Sequence, residues 1–333
     1  MRWNKSGTTM NETNQAYESS GAYGEQWAKT MADAPEFNGG ERADEREMLH
    51  EQEVIANADA DFVEALSKAL PQVGEDGRIN YYVCGSMAMD LLPVVRSLES
   101  FHQEGRDGEP ESQGIIELSD DARAEFLKGV RKKGKDFDVV SVPGRTVLAV
   151  QKQEVIDKCK NPDSLDILSS EKLKSGVIMF DAVGEDQGQG DYYYSKATMD
   201  DGEEIYIPSP GALIGAKAYE VAGLRAQRPR SLSAPQIHYY NLDTPEKIEE
   251  YNQKRAEKHR RNIEKRQKDL VAMIAGFSKV MSREQIIKAA ETAIMHRLES
   301  DAKDYEEGND GMPLEEGIRQ LEKTISECFE TAL

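Results

Sequence analysis

The β-forming runs of this chain stop at about residue 208, and from there to the end the apolar residues recur only at helical intervals. Before that point, INYYVC (79–84), DFDVVSV (136–142), TVLAV (146–150), VIMFDAV (177–183), DYYY (191–194) and EIYI (204–207) are rich in branched and aromatic residues and read as strands. Pro143-Gly144 predicts a tight turn joining two of them into a hairpin. Gly85 stops the first run, and SMAMDLLPVV after it predicts a helix over the sheet. Upstream, Leu49, Val54, Ile55, Phe62, Leu66 and Leu70 give an amphipathic helix ended by Pro71 and Gly74. Residues 97–135 form a charged insert with a Gly-rich loop and a short helix capped by Ser119. Ser209-Pro210 supplies the cap and first-turn proline of GALIGAKAYEVAGL. A polar helix from Pro245 to Ala275 follows, then one opened by Ser282 with Gln285 at the capping-box position. In the last helix Leu314, Ile318, Leu321, Ile325 and Phe329 define one buried face. Such an order predicts an α+β (mixed α/β) fold, a mixed sheet with flanking helices and a helical C-terminal half.

Charge and cysteine content narrow the function classes. A net charge of -20 argues against generic adhesion to nucleic acid or anionic membrane, so any such binding must come from a local basic surface. Cys84, Cys159 and Cys328 are far apart with no CxxC spacing, which gives neither a disulfide framework nor a zinc knuckle and fits a reducing cytoplasm. Residues 1–43 are rich in Gly, Ser, Thr, Asn and Glu and are expected to be a disordered tail, in which Trp3 and Trp27 leave partner docking open. The N-terminus has no apolar h-region, and no stretch approaches the roughly 18 apolar residues of a membrane span, so the expectation is a cytoplasmic protein with no membrane contact.

The chemistry centres on Asp136 and Asp138. On a strand these two side chains share a face, and their repulsion is unfavourable unless a cation lies between them; an all-oxygen site of this kind suits Mg2+ or Mn2+. Asp181, inside the apolar run VIMFDAV, is a third candidate ligand if its strand is a neighbour. With 62 acidic residues the acid-x-acid pattern also arises by chance. Asp59 and Asp61 share the spacing, but on a helix they lie on different faces and read as solvated. Gly85-Ser86, between strand and helix, lets backbone amides and a hydroxyl approach phosphate oxygens, although most such dipeptides are plain turns. The five histidines are scattered and read as surface or packing residues.

Taken together, Gly85-Ser86, Asp136-Phe137-Asp138 and Asp181 resemble the polymerase-beta-type nucleotidyltransferase superfamily, whose pattern is a Gly-Ser turn, acid-x-acid on a strand and a third acid on a later strand. IPSPGALIGAKAYEVAGLR is similar to the block of the AbiEii-like and MenA-like toxin nucleotidyltransferases in which a Ser-Pro-Glu turn opens a helix bearing a lysine; Lys217 matches that lysine and Gly211 stands at the glutamate. Arg225 and Lys268-Asp269 match the Arg and Lys-Asp that follow in those families. The resemblance implies a nucleotidyltransferase-like domain over 44–215 with an insertion at 94–133, and a helical C-terminal domain over 216–333. It further implies metal-dependent transfer of NMP from an NTP to an RNA or protein hydroxyl, toxin-like as in a toxin-antitoxin system. Asp136, Asp138 and Asp181 would be the catalytic and metal-binding acids; Gly85, Ser86, Lys217 and Asp269 would bind nucleotide. The alternative is a catalytically inactive module of the same fold that binds RNA or a protein partner.

A basic stripe interrupts the acidity. From Lys254 to Lys268 there are eight Lys or Arg against two Glu. Lys254, Lys258, Arg261, Lys265 and Lys268 follow spacings of four, three, four and three, which places them on one helix face. Such a row can track an RNA backbone; equally it can be a solvated face or dock to the acidic tail or the 97–135 insert.

Overall fold

Side-chain alternation along YYYSKATM splits the apolar interior into two faces of one sheet. The computed structural model describes residues 45–105, 107–130, 138–142, 147–162, 176–181, 191–226, 237, 239–242, 244–309 and 311–332. Its strands are β1 (Tyr81–Val83), β2 (Val95–Gln103), β3 (Glu111–Glu117), β4 (Val139–Ser141), β5 (Val147–Gln151), β6 (Val177–Asp181), β7 (Tyr192–Met199) and β8 (Glu204–Pro208). Its helices are α1 (Glu45–Ala69), α2 (Gly85–Leu91), α3 (Asp120–Leu127), α4 (Lys152–Ile156), α5 (Pro210–Ala226), α6 (Pro245–Phe277), α7 (Arg283–Glu306) and α8 (Leu314–Ala332). The fold is mixed α+β with antiparallel pairing: one sheet in the order β3-β2-β7-β8 and two separate ladders, β1-β4 and β5-β6. Among the described residues no helix is long and apolar enough to cross a membrane. The tail expected over 1–43 lies outside the described residues.

Ala197 and Met199 of β7 join Leu98, Ile205, Ile207 and the helices in the main core. On the opposite face Tyr192 and Tyr194 form a smaller cluster with Ile79, Tyr82 and Val142. Tyr82 and Tyr194 stack with ring centroids 6.0 Å apart, which ties the β1-β4 ladder to that face. Gln72 closes the sheet at β8: its amide nitrogen donates to the Tyr206 carbonyl and its amide oxygen accepts from the Tyr206 N–H, both at 2.9 Å.

Several expectations are corrected. β4 pairs with β1 and β5 with β6, so the hairpin expected at Pro143-Gly144 is replaced by two ladders with different partners. Part of the expected insert is β2, the inner strand between β3 and β7. Its sequence does not read as a strand because polar residues interrupt both faces: Ser100 and Ser195 hydroxyls share a hydrogen bond of 2.9 Å on one, and Lys196 pairs with Glu99 at 3.0 Å on the other. Asp61 is buried rather than solvated, its carboxylate accepting the backbone N–H of Lys160 at 2.6 Å and of Asn161 at 2.8 Å. Val54, assigned to the buried face of α1, is exposed, whereas its neighbour Ile55 packs against the main core and Ala56 is buried. Residues 215 and 216, on either side of the expected boundary, both lie within α5, whose Leu213, Ile214 and Ala218 belong to the main core.

Capping signals place the helices. Ala122 N–H donates to Ser119 Oγ at 3.2 Å, Ala212 N–H to Ser209 Oγ at 3.2 Å, and Ser282 with Gln285 forms the reciprocal box. Leu321, Ile325 and Phe329 of α8 are buried, with Leu314 and Ile318 half-buried. α7 and α8 bring Glu291 beside Glu322; burial first, then the neighbouring carboxyl, raise the Glu291 pKa above its ordinary 4.5. A raised carboxyl pKa favours the folded state fully below about pH 4.5, and that contribution is lost as pH rises through the folded value. Glu291→Gln is therefore expected to raise the Tm at pH 7 by about 2 °C and to leave it unchanged near pH 4, as followed by circular dichroism.

Candidate functional site

The β1–α2 connection and the entry to β4 build one spot. Antiparallel pairing sets Val83 opposite Val139, and the next step of the ladder is a 2.9 Å hydrogen bond from Cys84 N–H to the Asp138 carbonyl. Asp138 thus sits just before β4, fixed through its backbone against the residue that opens α2. The chain then turns at Gly85 with φ +64°, a left-handed conformation that a Cβ makes costly. A Cβ added there would lie 2.8 Å from Asp138 Oδ2. Gly85 therefore serves twice, permitting the turn and leaving space for the carboxylate. Ser86 follows, half-buried, as the second residue of α2.

The Cys84 thiol is pushed up to about 12, first by burial and then by the Asp138 charge. A thiol so held stays protonated at neutral pH and offers no thiolate, so the donor set here is carboxylate oxygen, the type that hard dications take. Among the described residues no group of three or more His, Cys, Asp and Glu converges as a metal cluster.

Of the other expected residues, Asp136 lies outside the described residues. Asp181 ends β6 opposite Val147, on the β5-β6 ladder and not on the one that holds Asp138. Lys217, on α5, pairs with Glu220 at 3.1 Å, and Glu220 also takes Arg266 of α6. Asp269 is buried one helical turn beyond Arg266. Arg225 bonds Glu327 of α8 at 2.7 Å and Gln267 of α6 at 3.1 Å. The structure thus gathers Gly85, Ser86 and Asp138 at one turn, and places Lys217, Arg225 and Asp269 on the helices that meet at the α5–α6 junction.

One acid was overlooked. Asp90 is buried on α2, four residues after Ser86 and therefore on the same helix face. The signal was present, since an acid inside the apolar run MAMDLLPVV needs a reason. No family model, no curated protein and no solved structure matches this chain.

Proposed function

We propose that this protein is a metal-dependent nucleotidyltransferase that moves NMP from an NTP to an RNA or protein hydroxyl, with pyrophosphate as the leaving group. The observation that carries the reading is the close approach of Gly85 to Asp138, which joins a Gly-Ser turn to an acid 53 positions later in the chain at a spot where only glycine fits. Asp138, with Asp136, would hold magnesium or manganese, which when bound supplies positive charge to the transferring phosphate and eases ionisation of the acceptor hydroxyl.

The chain's own residues do the positioning. Gly85 keeps the space beside Asp138 open, and Ser86 presents a hydroxyl at the same turn. Lys217 can pass from Glu220 to a nucleotide phosphate without orphaning that carboxylate, because Arg266 holds Glu220 as well. Asp269 would support the nucleotide side from α6.

The reading is tested with purified full-length chain, magnesium or manganese, each α-labelled NTP, and either total RNA or the protein alone as acceptor. The expected result is label transferred from at least one NTP and none in EDTA. Absence of incorporation from all four NTPs onto either acceptor would overturn it.

A further inference from the structure

α6 runs well beyond the core. Its buried residues begin at Asp269, and no residue from Pro245 to Lys268 is buried, about 35 Å of helix at 1.5 Å per residue. The stretch is mostly polar, and same-helix pairs support it: Lys254 with Glu250 at 2.7 Å, Arg261 with Glu257 at 2.5 Å, Arg260 with Glu264 at 3.7 Å. These pairs take three of the five acids of the stretch; of the others, Glu246 lies in the first turn and Glu249 accepts from Gln253 at 3.0 Å. Lys254, Lys258, Arg261, Lys265 and Lys268 are all exposed along the stretch. A chain of net charge -20 has concentrated positive charge on one projecting helix.

At the outer end of that row lies a group of aromatic rings. Tyr239 and Tyr240 are 65% and 44% exposed, the only adjacent pair among the exposed large apolar side chains of the described residues. Their rings meet edge to face at 5.1 Å, and Tyr240 lies 4.9 Å from Tyr251 of α6. The Arg255 guanidinium is 6.0 Å from the Tyr251 centroid. Exposed rings clustered beside a cationic row are poorly explained by solvation alone, because water gains nothing from the ring faces. Single-stranded nucleic acid uses both parts at once: unstacked bases take the rings, and phosphates follow the cations.

We propose that the tyrosine group and the α6 row form a binding surface for single-stranded RNA, with bases stacked at Tyr239 and Tyr240 and the backbone running toward Lys268. Duplexes keep their bases stacked and offer only phosphates, so the rings favour a single strand; RNA is the nucleic acid whose recognition is dominated by unpaired segments. Binding of this kind stands apart from the transfer reaction, since it requires none of the residues at the Gly85 turn.

Fluorescence anisotropy with the full chain and a labelled RNA of about 20 nucleotides tests this, against single-stranded DNA of the same sequence, duplex DNA and a poly-glutamate peptide. If four phosphates are neutralised, affinity is expected to fall about 50-fold between about 50 and about 200 mM salt. Tyr239→Ala with Tyr240→Ala is expected to weaken binding about 10-fold at unchanged salt dependence. Lys258→Gln with Arg261→Gln and Lys265→Gln is expected to reduce the logarithmic salt slope by about 2. Both variants change exposed positions, and unchanged thermal melts establish that they fold. The proposal is overturned by no RNA binding at low salt, by duplex or single-stranded DNA bound more tightly than RNA, by poly-glutamate competing as well as RNA, or by tyrosine variants that bind normally.

Discussion

Gly85→Ala is expected to destabilise this protein by about 3 kcal/mol and to lower metal-dependent nucleotide incorporation by about 10³-fold. Two causes add. The left-handed backbone at φ +64° is unfavourable for any residue with a Cβ, by about 1–2 kcal/mol. The new methyl would also start 2.8 Å from Asp138 Oδ2, so either the acid or the turn must shift. A double-mutant cycle separates the causes, because Asp138→Ala removes the contacted oxygen and leaves the backbone strain. Gly85→Ala should then cost about 1 kcal/mol less in the Asp138→Ala background, measured by urea unfolding. Equal costs in the two backgrounds would mean that the carboxylate does not occupy this space. On activity, Asp138→Ala alone should match Gly85→Ala, since both remove the same positioned carboxylate.

What could be read from the sequence was what depends on neighbours a few positions apart. Ser119, Ser209 and the Ser282–Gln285 box cap helices through hydrogen bonds spanning three residues, so the pattern carries the structure. β2 depends on partners that the sequence does not mark: Glu99 meets Lys196, and Ser100 meets Ser195. Each polar residue alone looks like surface, and only the pairing makes a strand interior. Asp61 is the same case in a helix, because its partners are backbone amides about a hundred positions away. The site shows both sides. Gly85-Ser86 and Asp138 stand out as residue types, but their meeting rests on β1 choosing β4, which the Pro143-Gly144 turn argued against.

A second large effect is expected at the start of α5. A Cβ on Gly211 would lie 2.4 Å from the Ala289 carbonyl oxygen of α7. One turn later, a Cβ on Gly215 would lie 2.7 Å from the Ala290 carbonyl oxygen and 2.8 Å from Ile294 Cγ2. Two glycines four apart thus let α5 and α7 approach backbone to backbone, with Leu213 and Ile214 buried beside the crossing. Gly211→Glu must both separate the helices and bury a carboxylate against a carbonyl, two unfavourable changes that together cost about 5 kcal/mol or more. That is comparable with the whole stability of many domains, so the variant is expected to be unfolded or insoluble at 25 °C. Gly211→Ala isolates the separation and should cost about 2 kcal/mol. Gly223 supplies the control in the same helix, because a Cβ there meets nothing within 4 Å. Gly223→Ala should stabilise by about 0.5–1 kcal/mol through helix propensity alone, so the same substitution at two positions of α5 gives opposite signs. Urea midpoints of the two variants decide it: a Gly211→Ala midpoint at or above the wild-type value would mean that α5 and α7 do not cross at this distance.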